Sequence, residues 1–522
     1  MDWNAWIQLS VGIASLLLLL RALTTKPRAW SWVVALGLVL ATVCSTARLM
    51  PERGAWVSGP AFLLFVLVPA LLSRTLTRCV LAQRYESAAR LARVLGLLHP
   101  STSFREQPKI LRALALLKRG ETAEGRAILA SRAAGNSPLA RAAHIQLLRL
   151  EGKWAELLAW LRQRPEHELE LDLQCTPFWL RSLGETGDLP GLVDAFRLAA
   201  PALDSAAAQT ARASCQLFAL AFAGRRAAVE VLLESQLSAL PEGVRQFWLA
   251  TAALTAGDSS ARSAFESDLA IARDVPRVDV DRRLRQPLAS PSSLDEARLR
   301  ELDAIERAAD HETRFGFPRP ARAGRPWVVG AILALNLLAF AFEVALGGST
   351  DRQVLTRLGA LIPHAVLEEG QWWRLAAASF LHYGPIHLAA NLAGILFLGP
   401  YLESSLGRAR LGLVWLTSAV GAMGVCTLLT SQGWLEDRAL VGASGGVMGL
   451  VGATVAVMLR GWLRERARVA RRHLVLLSAL IAVQLALDAI TPFVSFATHA
   501  AGTVLGFVLA TLLRHHTSPR IA

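Results

Sequence analysis

The sequence predicts an all-α, polytopic membrane protein with a soluble helical region set between two groups of spans. Three observations lead there. Hydrophobic residues make up 53% of the 522 residues and charged residues only 18%, a balance that leaves a water-soluble domain short of polar surface. Apolar runs approaching the ~20 residues that a helix needs to cross a bilayer occur at both ends of the chain. Between them, apolar residues return at helical spacing while charges occupy the remaining face. At this length two or three separately organised regions are expected rather than one enlarged core.

The first group of runs is Ala5–Leu20, Ala29–Cys44 and Gly54–Leu72, an amino-terminal membrane region of about three spans within residues 1–75. The first two are short for a crossing. No basic residue precedes the first run, whereas Arg21, Lys26 and Arg28 follow it. That order is the reverse of a cleavable signal peptide, so a retained span is expected, with its first residues outside the cytoplasm. Residues 78–310 then read as the soluble domain. Gly120, Gly152, Gly187, Gly224 and Gly257 fall between paired helices at separations of 32, 35, 37 and 33 residues. The period is similar to that of tetratricopeptide-like hairpins, which stack because one hairpin cannot bury its apolar face alone. No single unit shows that family's full consensus, and an irregular helical domain would also carry glycines between helices. The run FGFPRPARAGRP at Phe315–Pro326 belongs to a linker over residues 311–326. The second group, Trp327–Leu346, Ile386–Leu402, Ala409–Thr430, Leu440–Leu459, His473–Ile490 and Phe493–Leu513, makes a six-span domain over residues 327–514.

A net charge of +14 on so apolar a chain points to the Lys and Arg that orient spans, and nucleic acid is not expected as a partner. Basic residues cluster after the first run, at Arg74 and Arg78, at Arg314, Arg319, Arg322 and Arg325, at Arg408 and Arg410, and through Arg460–Arg472. An alternating nine-span arrangement puts all of these, and the soluble domain, in the cytoplasm. The expected location is an integral, multi-pass position in a bacterial inner membrane, in contact with the lipid bilayer. The five cysteines are odd in number, far apart and free of any CxxC pair, so neither a disulfide framework nor a zinc site is indicated, and no cofactor is expected.

Polar residues inside spans are costly and ask for an explanation. LHYGPIHLAANLAG places His382 just before the second span of the carboxy-terminal group and His387 and Asn391 within it; VGASGGVMG places Ser444 in the fourth; FATHAAGTVLG places His499 in the sixth. These three spans enter from the same side, and Ser444, Asn391 and His499 lie four to six residues in, roughly 6–9 Å deep at ~1.5 Å per residue. Serine becomes a nucleophile when an imidazole takes its proton, and His499 suits that role. His387, the Asn391 amide and the Ser444 N–H are donors suited to an oxyanion. Gly442 and Gly445, with Gly446 and Gly449, allow a tight loop and a close helix approach around the serine, while Gly502 and Gly506 give the His499 helix a small-residue face. Taken singly, a serine after glycine or a histidine in a span is more often a packing or satisfied core residue. His382 is balanced between an interfacial hydrogen bond and a supporting role in the site. Asp488 is a lesser candidate for orienting His499, since an acid near a span's end is ordinarily interfacial.

These residues, in this order, resemble the rhomboid intramembrane proteases over Trp327–Leu513: WWR at Trp372–Arg374, FLH at Phe380–His382, HLAAN at His387–Asn391, GPYLE ending at Glu403, GASGG around Ser444, and HAAGTVLG from His499. The resemblance implies a six-helix bundle and an intramembrane serine endopeptidase acting on membrane-anchored proteins. Its Ser–His dyad falls on Ser444 and His499, and its oxyanion-supporting pair on His387 and Asn391. It departs from the family at Met448, where many members carry an aromatic near the catalytic histidine, and at Ala500 and Ala501. The helical repeats would recruit a substrate or a cytosolic protein partner. The rival reading is a catalytically silent rhomboid-like escort, against which retention of both Ser444 and His499 argues. A transporter is weaker, because the spans show no paired inverted halves.

Overall fold

The computed structural model describes residues 3–24, 30–99, 102–135, 137–205, 208–286, 288–316, 325–490 and 496–513. Lys26, Arg28, Arg319, Arg322, Thr491, Phe493 and the tail beyond residue 513 lie outside them. Helices are the regular elements among the described residues, and one isolated antiparallel bridge joins Leu361 to Leu440. The chain divides into two compact units, residues 1–309 and 310–522.

The first unit begins with helices α1 (Trp3–Thr24), α2 (Trp30–Leu49) and α3 (Ala55–Leu81). A π-turn at Leu63–Leu67 interrupts α3, just before Pro69. Proline has no N–H to give the carbonyl four residues back. That carbonyl, Phe65 O, instead receives a hydrogen bond from His99 Nε2 at 2.9 Å, and Trp32 packs on the same imidazole with ring centroids 4.7 Å apart. A polar group inside an apolar bundle is thus matched to the defect that needs it.

Beyond α3 the unit is a series of helical hairpins, including Thr102–Arg119 with Thr122–Arg132, Thr176–Glu185 with Leu189–Leu203, and Gln209–Phe222 with Arg226–Glu234. Gly120, Gly152, Gly187, Gly224 and Gly257 all sit at positive φ, between 67° and 92°, where a Cβ is penalised. Each closes the preceding helix with the same pair of bonds, as at Gly187 N–H to Gly184 O (3.2 Å) and Asp188 N–H to Leu183 O (2.9 Å). This cap ends one helix and aims the next back along it. The helices Thr176–Glu185, Gln209–Phe222 and Glu242–Thr255 pack side by side in sequence. A buried ionic set ties this row to the helix Arg277–Arg285: Arg283 bonds Glu185 at 2.7 and 3.0 Å, and Arg181 bonds Glu185 at 3.1 Å and Asp279 at 2.9 Å. Each charge there has an opposite partner, without which burial would be prohibitive.

The second unit holds α4 (Trp327–Ala345), α5 (Pro385–Leu406), α6 (Arg408–Ser431), α7 (Ser444–Glu465), α8 (Arg468–Ile490) and α9 (Phe496–Leu512). The helix Glu296–Phe315 runs past residue 311, the expected start of the linker. Its last residues pack on the end of α7: both guanidinium amines of Arg314 bond Glu465 at 2.7 Å, and Phe315 lies against Gly461. Helices α2 to α8 are long and apolar enough to cross a membrane, and α1 and α9 contain shorter apolar stretches. The chain is a multi-pass helical membrane protein.

In the connection from α4 to α5, Trp372 and Trp373 are exposed at 59% and 52%, as interfacial anchors would be. Arg374 is buried and acts as a brace, its Nη1 donating to the Thr356 and Ala360 carbonyls at 2.9 Å each. Glu403, near the end of α5, is buried and accepts from the Val329 N–H at 3.0 Å, which fixes α5 to α4.

Candidate active site

Ser444 is the first residue of α7, not a residue one turn inside it. The stretch before it is extended. Leu440 pairs with Leu361, Gly442 N–H donates to the Ala378 carbonyl at 2.9 Å, and Gly442 takes a φ of 138°. A helix cannot continue backwards through that conformation. The serine therefore stands at a helix N-terminus, where backbone N–H groups have no partner within the helix and favour negative charge.

Gly442 also brings the second group in. A Cβ there would lie 2.8 Å from His387 Cε1, 3.0 Å from its Nε2 and 3.6 Å from Ser444 Oγ, so only a hydrogen leaves room for the imidazole beside the serine. The Tyr383 N–H points at His387 Nδ1 at 3.4 Å. With Nδ1 accepting, the proton of that ring lies on Nε2, the nitrogen turned toward Gly442. Asn391, one turn further along α5, is buried, and its Nδ2 has no acceptor among the described residues. His382 is fully buried, packs edge-on to His387 with ring centroids 5.3 Å apart, and donates its backbone N–H to Glu343 at 2.8 Å. Its imidazole packs against the His387 ring.

The third group arrives on α9. Helices α7 and α9 run parallel and meet backbone to backbone: a Cβ on Gly502 would overlap the Gly445 carbonyl, one on Gly506 the Gly449 carbonyl, and one on Gly452 the Thr503 carbonyl. Larger residues at these positions would hold the helices apart. His499 lies one turn before Gly502, which sets it by the N-terminal end of α7. Among the described residues Ser444 Oγ makes no hydrogen bond to His499; such bonds are often loose without substrate. Met448, one turn after the serine, is buried.

The contact that sequence reasoning undervalued is Asp488. It is 4% exposed rather than interfacial, its Oδ2 is 2.6 Å from His499 Nδ1, and its Oδ1 accepts from Gln484 Nε2 at 2.8 Å. The signal available in sequence was an acid and an amide four apart on the span before the histidine. Among the described residues no cluster of three or more histidine, cysteine or acidic side chains is arranged to hold a metal.

A family match to the Rhomboid domain covers residues 369–516. The chain is similar to RHOMBOID-like protein 7 of Arabidopsis thaliana, with 35% identity over 189 residues, 35% of this chain and 57% of that protein. It is also similar to the Rhomboid protease GluP of Bacillus subtilis, 32% identical over 25% of this chain and 24% of that protein. The Putative rhomboid protease YdcA of the same organism is 33% identical over 144 residues, 27% of this chain and 68% of that protein. The chain spans 57% to 60% of the length of the first plant relatives it matches. No solved structure matches the chain. Through its carboxy-terminal part, which carries Ser444, His387 and His499, the chain belongs to the rhomboid family.

Proposed function

We propose that this protein is an intramembrane serine endopeptidase that cleaves membrane-anchored proteins, with Ser444 as nucleophile and His499 as general base and acid. The observation that carries the reading is the packing around Gly442 and Gly445: a serine at a helix N-terminus, one imidazole beside it, and a second delivered by a helix in backbone contact. In this reading His499 takes the Ser444 proton as Oγ attacks the scissile carbonyl, then gives it to the leaving amine. The oxyanion is met by His387 Nε2–H, the Asn391 amide and the α7 N-terminus. His382 and Gly442 keep His387 in place, and Gly445 lets α9 approach. GluP and YdcA carry protease names, which favours the same activity here.

The remaining parts follow from the same reading. The hairpins of the first unit act as tetratricopeptide-like repeats on the cytoplasmic side of a bacterial inner membrane, where they recruit a substrate tail or a cytosolic partner. Binding there raises local substrate concentration without taking part in the chemistry. The test is labelling of purified full-length protein with a fluorophosphonate or isocoumarin, together with cleavage of a generic transmembrane reporter. Both are expected in the wild type and absent in Ser444→Ala and His499→Ala. A wild-type protein that binds membrane proteins but neither labels nor cleaves would favour the escort reading instead.

A further inference from the structure

A carboxylate inside an apolar bundle is costly unless both its oxygens are bonded. Asp488 meets that condition within α8, where its side chain is 1% exposed. Oδ2 faces His499 Nδ1 at 2.6 Å and Oδ1 holds Gln484 Nε2–H at 2.8 Å. Gln484 and Asp488 are one helical turn apart, so the amide sets the plane of the carboxylate before α9 is considered.

The chemical consequence concerns the tautomer of His499. A carboxylate only accepts hydrogen bonds, so the proton of the neutral imidazole lies on Nδ1 and the lone pair on Nε2. Nε2 is the nitrogen left to receive a proton from a serine hydroxyl. The ring also gains a positive charge once it has taken that proton, and a negative group at Nδ1 steadies it. No aromatic ring stands one turn after the serine to hold the imidazole, because that residue is Met448. Among the described residues the titratable group in contact with His499 is Asp488 from α8.

Resting on the peptidase reading above, we propose that Asp488 is a positioning residue for His499, itself set by Gln484, so that the site works as Ser444–His499–Asp488 rather than as a pair. The bland alternative is a structural pin between α8 and α9. The two differ in what they protect, because a pin guards the fold whereas a positioning group guards the turnover step.

The experiment uses full-length protein in lipid nanodiscs, with ¹⁵N-histidine labelling and steady-state cleavage of a transmembrane reporter. Wild type and Ser444→Ala should both show His499 with its proton on Nδ1, the resonance being assigned by its loss in His499→Gln. Asp488→Leu should remove that preference. Asp488→Asn should lower kcat by about 10²-fold or more, in the direction of the ~10⁴-fold loss that the same change causes in serine triads, with KM and melting temperature close to wild type. Asp488→Glu should restore part of kcat. A proton on Nε2 in the wild type, or full kcat in a folded Asp488→Asn, overturns the proposal. So does a loss of melting temperature that accounts for the lost rate. If Asp488→Asn does not fold, Asp488→Glu decides: a lowered kcat at wild-type KM and melting temperature supports the proposal, and a rate loss matched by lost melting temperature overturns it. A wild type with the Nδ1 proton that cleaves nothing would remove the peptidase reading and with it the positioning role, leaving only the tautomer.

Discussion

Gly442 does two jobs with one missing side chain. Its φ of 138° ends the extended approach to α7, and its bare Cα leaves space for His387. Gly442→Ala is therefore expected to cost about 1–3 kcal/mol of local strain and to push His387 off the serine. The protein should still insert, but its labelling at Ser444 should fall steeply; labelling at the wild-type rate would show that the close packing is unimportant. At this scale the flanking glycines are legible in sequence, and Gly442 and Gly445 do sit where His387 and the α9 backbone come close. The sequence was uninformative about Asp488. Whether that acid faces lipid headgroups or an imidazole depends on the rotation of α8 against α9, and eleven positions of sequence separation do not encode a rotation. The start of the Ser444 helix is also not legible, because an apolar run beginning at Leu440 looks helical until Gly442 is seen to break it.

Helix ends were the most legible elements. All five glycines expected between paired helices occupy positive φ and close the same cap, since the left-handed residue of such a cap is costly for any side chain. These caps differ in surroundings, and the difference makes a comparison. A Cβ on Gly187 meets nothing within 4 Å, whereas one on Gly224 would lie 3.0 Å from the Ala256 backbone nitrogen. Gly187→Ala should cost about 1 kcal/mol, the conformational penalty alone, and Gly224→Ala clearly more, because backbone cannot step aside. Equal shifts in denaturant midpoint for the two variants would contradict this. Two elements were not legible. The π-turn in α3 depends on His99, more than thirty residues away, and the extension of the helix Glu296–Phe315 past residue 311 depends on Arg314 and Phe315 finding Glu465 and Gly461.

For the whole molecule, apolar length carried the multi-pass reading, and the proposed sidedness rests on loop charge. With basic loops cytoplasmic, single cysteines introduced by Leu150→Cys and Thr491→Cys should be accessible from opposite faces of the membrane. Cys44, which is exposed, would have to be replaced first. Cys175 and Cys215 are buried, and burial pushes the Cys175 thiol up to about 12, so neither should react with a membrane-impermeant reagent in the folded protein. Labelling of both introduced sites from one face would refute the nine-span arrangement. The glycine contacts of α7 with α9 have a further consequence, for the lipid. A bilayer thicker or thinner than a span is accommodated by tilting or shifting helices. Two helices whose carbonyls occupy the space where side chains would otherwise sit cannot shift against each other by a fraction of a turn. Of the span windows, 61% of α7 is buried but only 11% of α8, so a change of membrane thickness is expected to be taken up by the less buried helices and to leave the α7–α9 contact in place.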